Sequence, residues 1–154
     1  MAADAPNEPV TDDAFLGGAL SILQPKSGYR AGIDGIVLAA SVPTGDGDAV
    51  LDVGAGVGVV GLAVARRLAH ARVSLVERNP RLAELARSNI ERNTLAGRVQ
   101  LIEADITRPS VEGVMPGAAT GTFDHVLANP PFHIEGRGTA ARARTGRARS
   151  MAHQ

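Results

Sequence analysis

Apolar positions along the chain fall into short blocks, and their spacing switches between strand-like and helix-like runs. A polar, proline-containing stretch at residues 1–13 reads as a flexible lead-in. The segment "FLGGALSILQPKSGYRAGIDGIVLAAS" then predicts a short apolar element, a turn at Pro25–Gly28 and a helix from Asp34 to Ser41, with Asp34 as its N-cap. After the loop "PTGDGD", "AVLDVGAG" is a buried strand running into glycines, and "GVVGLAVARRLAH" has helical spacing. "ARVSLVER" is a second strand. "NPRLAELARSNIERNTLAG" opens with Asn79 as N-cap and Pro80 at the first helical position, and its Gly97 suits a helix end. "RVQLIEAD" and "FDHVLAN" are a third and a fourth strand, separated by the Pro/Gly-rich loop "ITRPSVEGVMPGAATGT". The Arg-rich tail at 137–154 has no apolar face to bury and is expected to be mobile.

Strand, helix, strand, helix, strand, loop, strand is the order of an α/β fold, a Rossmann-like parallel sheet with flanking helices, over residues 14–136. Such sheets bind ligands beyond the carboxyl ends of their strands, where the strand order reverses. Asp52, Glu77, Asp105 and Asn129 all fall at such ends, so these polar residues are expected to meet in one crevice.

Composition narrows the chemistry. A length of 154 residues suits one domain. Sixteen basic and sixteen acidic residues give no net charge, hence no overall field to attract nucleic acid. The charge is unevenly placed. Asp4, Glu8, Asp12 and Asp13 open the chain without a base, and Arg137, Arg142, Arg144, Arg147 and Arg149 close it without an acid. That basic tail can contact phosphates. The absence of cysteine excludes disulfides, thiolate nucleophiles and cysteine-ligated metal sites. No metal site, no membrane span and no signal-peptide pattern is legible, and a cytoplasmic chain is the expectation.

The stretch "LDVGAGVGVVGL" places Gly54, Gly56, Gly58 and Gly61 between the first strand and its helix. Glycines there permit a tight turn and close approach of backbone to a ligand. It carries both a GxGxxG at 56–61, the dinucleotide pattern, and a DxGxGxG at 52–58, a spelling used for S-adenosylmethionine. Glu77 at the end of the second strand can accept from both ribose hydroxyls of an adenosine, which suits either cofactor. Asp52 tilts the balance, because an acid before the glycines repels a pyrophosphate but suits an ammonium. Asp105 can accept from an adenine amino group, and Ile106 can lie on the adenine face.

"DVGAGVG", "VERN", "EAD" and "NPPF", in this order and spacing, resemble a class I S-adenosylmethionine-dependent methyltransferase. NPPF resembles the motif of enzymes that methylate planar nitrogens: adenine N6, guanine N2 and glutamine N5. The lead-in "LSILQPKSGYRAGIDGIVLAAS" is similar to that of the bacterial small-methyltransferase family that includes a valine-tRNA adenine N6-methyltransferase. The resemblance covers about residues 14–138.

It implies S-adenosylmethionine as cofactor, held by Asp52, Gly54, Gly56, Gly58, Glu77, Asp105, Ile106 and Asn129. It also implies an RNA substrate, most readily adenine N6 in tRNA. Asn129 and the Pro130 carbonyl would hold the amino group, and Phe132 would stack on the base. Pro131, His133, Tyr29 and Arg30 are candidate substrate contacts. Guanine N2 of ribosomal RNA, a protein glutamine, or a cofactor-binding remnant without turnover are the alternatives. The family pattern continues with further strands beyond NPPF, so this sheet is expected to lack its C-terminal strands. The chain would then be a truncated form missing a C-terminal half, or one that needs a partner such as a second copy.

Overall fold

A computed structural model of the chain describes residues 8–43, 45, 47–108 and 123–130. Strand β1, Val10–Phe15, pairs antiparallel with β2, Leu20–Pro25, across a tight helical turn at Leu16–Gly18. Then follow α1 (Ile33–Ser41), β3 (Ala49–Val53), α2 (Val59–Arg67), β4 (Arg72–Glu77), α3 (Pro80–Arg92), β5 (Val99–Glu103) and β6 (His125–Ala128). Strands β3 to β6 form one sheet in the order β5-β4-β3-β6, parallel throughout. This is the α/β, Rossmann-like architecture that the apolar pattern predicts.

Strand parity sorts the core. Val50 of β3, Val73 and Leu75 of β4, Val99 of β5 and Leu127 of β6 join the main core with α2 and α3. The alternate residues Leu51 and Val76, with Val53, Ile102 and Phe123, form a smaller cluster on the other face. Burying both faces gives parallel strands their nearly continuous apolar runs, which is why β3 and β4 are legible in the sequence. Asn79 caps α3 as expected, its Oδ1 accepting from the Arg81 N–H at 2.9 Å with Pro80 first in the helix.

Three expectations change. Val10–Asp13, assigned to the lead-in, are the first residues of β1. Their strand has no apolar stripe because its inner positions Thr11 and Asp13 are held by polar partners: Asp13 Oδ2 accepts from Thr11, Gln24 and Arg30. Helix α1 begins at Ile33 with Gly32 as its N-cap, so Asp34 sits inside the first turn rather than at the cap position. Helix α3 ends at Arg92, not near Gly97. There Asn93 turns its side chain to Ser21, and Thr94 takes a positive φ of 57°. The 137–154 tail and most of the Pro/Gly loop lie outside the described residues.

Candidate active site

The loop from β3 to α2 turns on Gly54 and Gly56, with φ of 68° and 58°. A Cβ at either would meet nothing within 4 Å, so backbone conformation rather than crowding calls for glycine. Gly58 takes φ 93° at the N-cap of α2. Gly61 serves packing instead, since a Cβ there would stand 2.2 Å from a methyl of the buried Leu75.

The loop is held in place by β4. The Ala55 N–H donates to the Val76 carbonyl at 2.9 Å, and the Gly56 N–H to Glu77 Oε2 at 2.8 Å. Glu77 Oε1 accepts from the Asn79 N–H at 2.8 Å. Glu77 thus ties the glycine loop to the start of α3 while lining the cleft between them.

Asp52 is 1% exposed and gives Oδ2 to the Gly61 N–H at 2.9 Å, inside the first turn of α2. Its pKa is raised from 3.8 to about 6, chiefly by burial and in smaller part by the nearby Glu77 charge, against the lowering effect of that bond. Assigned to the cofactor by the sequence, Asp52 has a structural bond as well. Asp105 follows β5 and accepts at Oδ1 from the Thr107 hydroxyl and N–H. Those bonds hold its pKa below 3.8, helped by Arg78 and Arg108.

Asn129 follows β6. Its Nδ2 donates to Asp34 Oδ2 at 3.0 Å and lies 3.3 Å from the Tyr29 hydroxyl. Nδ2 is therefore engaged, and Oδ1 is the acceptor left for a ligand. The sequence brings Tyr29 forward for this place but not Asp34, whose position in "GIDG" reads as a helix start. Arg30 goes elsewhere: its guanidinium bonds Asp13, Thr11 and the Pro25 carbonyl within the hairpin. It lines neither cavity at the strand ends. Phe132, Pro131 and His133 lie outside the described residues.

These groups converge because β3 is flanked by β4 on one side and β6 on the other, so the strand order reverses there. Val53 pairs with both Val76 and Ala128, which sets the glycine loop, Glu77 and Asn129 at one level. A cleft of about 570 Å³ opens above them, with Glu77, Asp105, Ile106, Gly56, Asn129 and Pro130 in its wall. That volume falls within the roughly 300–1,000 Å³ of small-molecule sites. A narrower cavity of about 30 Å³, with Asp52, Tyr29 and Asn129 in its wall, adjoins it under the glycine loop. Among the described residues no group of three or more acidic or histidine side chains is placed to share a metal ion, and no helix is long and apolar enough to cross a membrane.

The chain is similar to proteins of known name. A tRNA1(Val) (adenine(37)-N6)-methyltransferase from Cronobacter sakazakii is 30% identical over 140 residues, covering 90% of this chain and 55% of that protein. One of the same name from Porphyromonas gingivalis is 32% identical over 124 residues, 78% of this chain and 48% of its own. The chain thus spans about half the length of these curated relatives. A predicted O-methyltransferase from Agrobacterium tumefaciens superposes with a TM-score of 0.56 at 38% identity, over 64% of this chain and 49% of that one. M. jannaschii TYW2 in complex with AdoMet shares the fold, with a TM-score of 0.54 at 24% identity over 66% of this chain and 46% of its own. The model of the methyltransferase small domain matches residues 33–147, and the chain belongs to that family.

Proposed function

We propose that this chain transfers a methyl group from S-adenosylmethionine to the exocyclic amino nitrogen of an RNA base, adenine N6 in tRNA being the substrate its relatives' names favour. The observation that carries this reading is Asn129. Its Nδ2 is engaged by Asp34 and Tyr29, which leaves Oδ1 as an acceptor at the mouth of a cleft walled by the glycine loop.

The residues present suit the cofactor. Gly54 and Gly56 leave open space where a Cβ would stand, so a ligand can lie close to the backbone. Glu77 keeps lone pairs beyond its two backbone bonds, enough to accept from ribose hydroxyls. Asp105 can accept from an adenine amino group, with Ile106, half exposed, beside it in the same wall. S-adenosylmethionine, when bound, supplies an electrophilic methyl group on a sulfonium. Asp52 at the edge of the narrow cavity suits the ammonium end.

An exocyclic amino nitrogen is a weak nucleophile because its lone pair is delocalised into the ring. Asn129 Oδ1 accepts one of its N–H bonds and the Pro130 carbonyl the other, which favours a pyramidal nitrogen with its lone pair directed at the methyl. The extra proton on the methylated nitrogen passes to water after attack, so no base need act first, and the protein contributes chiefly orientation. Phe132 is assigned to stacking on the base. A paired base must first leave its helix.

The test is methylation of bulk tRNA with labelled S-adenosylmethionine, followed by nucleoside analysis. N6-methyladenosine is the expected product. N2-methylguanosine, or label found only in protein glutamine, would replace the substrate. Cofactor binding without transfer to any acceptor would make the chain a binding remnant.

A further inference from the structure

We propose that Asp34 is a positioning residue for this reaction, fixing the Asn129 side-chain amide so that Oδ1, and not Nδ2, faces the reacting nitrogen. The inference rests on the methyl-transfer reading above. The two ends of an asparagine amide are nearly alike in shape, so packing alone sets their orientation poorly. Their chemistry differs completely at this site. An oxygen facing the substrate accepts from an amino N–H, whereas an NH2 group there would repel it.

The structure supplies a discriminating partner. Asp34 is acceptor-only when charged, and its Oδ2 stands 3.0 Å from Nδ2. A flipped amide would set Oδ1 against that carboxylate. The Tyr29 hydroxyl, 3.3 Å away, completes the surroundings of Nδ2. The bond from Asn129 is the leading reason that Asp34 has a pKa below 3.8, so the carboxylate is charged at neutral pH. Gly35 eases the packing of α1 on α2, since a Cβ there would lie 3.3 Å from a methyl of Val60, while it would meet Asn129 Nδ2 at an ordinary contact distance of 3.7 Å. The Asp34 carboxylate is also bonded by backbone N–H groups at the start of α1, those of Gly32, Asp34 and Gly35, which hold it in place beside Asn129.

Two readouts separate this from a merely structural role. The first is hydrogen exchange of the Asn129 side-chain NH2, followed by NMR in 15N-labelled protein without substrate. Protection in the wild type that is lost in Asp34→Ala is expected; a wild-type amide that exchanges freely would overturn the assignment. The second is single-turnover methylation of tRNA by Asp34→Ala, Asn129→Ala and the double variant, beside calorimetric S-adenosylmethionine affinity. Asp34→Ala should slow transfer by about 10- to 100-fold, the range for partners that orient a site ligand, with affinity within about twofold. Adding Asp34→Ala to Asn129→Ala should cost nothing further, because the group it orients is gone. Asp34→Asn, which can pair with either end of the amide, should fall between. Independent, additive losses in the double variant, or an Asp34→Ala rate equal to wild type, would overturn the proposal. A wild-type chain that binds cofactor and methylates nothing would remove the functional reading, and the exchange measurement would then decide the Asp34 assignment alone.

Discussion

Asn89 of α3 pairs with Leu23 of β2 as a neighbouring strand would. Its Oδ1 accepts from the Leu23 N–H at 2.8 Å and its Nδ2 donates to the Leu23 carbonyl at 2.9 Å. One turn on, Asn93 repeats the pattern with Ser21, at 3.0 and 2.8 Å. The outer edge of β2 is thus satisfied by two side chains at helical spacing. Asn89 also donates to the Val57 carbonyl at 3.0 Å, joining the hairpin to the glycine loop. The residue is fully buried, so Asn89→Ala should leave buried backbone groups unpaired and destabilise by about 2–5 kcal/mol. Urea unfolding measures this, and a loss under about 0.5 kcal/mol would contradict the account.

Glu77→Gln should behave as a severe change despite its shape. Both carboxylate oxygens accept backbone N–H bonds, from Gly56 and Asn79. A glutamine must turn its NH2 toward one of those donors. The loop then loses an anchor costing about 1–3 kcal/mol, and S-adenosylmethionine affinity should fall by at least tenfold by calorimetry. Unchanged affinity would show that the loop holds itself.

Asn129→Ala should leave cofactor affinity nearly unchanged and remove methyl transfer, by about 10²–10³-fold if Oδ1 acts like a preorganised transition-state partner. Rapid-quench single turnover separates this from effects on product release. An alanine variant with the wild-type rate would end the role assigned to NPPF.

Asp52 gives stability a pH dependence of definite sign. Its folded pKa of about 6 exceeds the ordinary 3.8, so the folded state holds the proton more tightly. Its contribution is fully present below pH 4 and is lost as pH rises through about 6. The span amounts to roughly 3 kcal/mol. Asp52→Asn should flatten this part of the pH–stability curve, measured by urea unfolding between pH 4 and 7. A curve unchanged by the substitution would show that Asp52 does not titrate there.

The parallel sheet was legible because its strands are apolar on both faces and end in glycine or acid, as "AVLDVG" and "VSLVE" do. Strand β1 was not, because Thr11 and Asp13 fill its inner positions with a hydrogen-bonded network. Glu77 and Asn129 stood out as strand ends, but their partners did not. The Asp34 bond to Asn129 joins residues 95 apart, and no local pattern reports such a contact. Asn89 and Asn93 carry a signal open to a reader: two amides four apart on the inward side of an amphipathic helix, beside Ala86 and Ile90. Arg30 shows the opposite error, a cation near the expected site whose bonds all lie within the hairpin.

The pairing of β3 with β6 also sets an order of events during synthesis. The glycine loop, Glu77 and Asp105 come from one continuous run of strands and helices, each packing on the one just made. Asn129 joins only when β6 closes against β3, with Ala49 bonding Asp124 across 75 residues. Closing so long a loop is slow, although the entropy cost rises only gently with length. On the ribosome the side of the cleft built from the glycine loop, Glu77 and Asp105 can therefore take form before Asn129 reaches it.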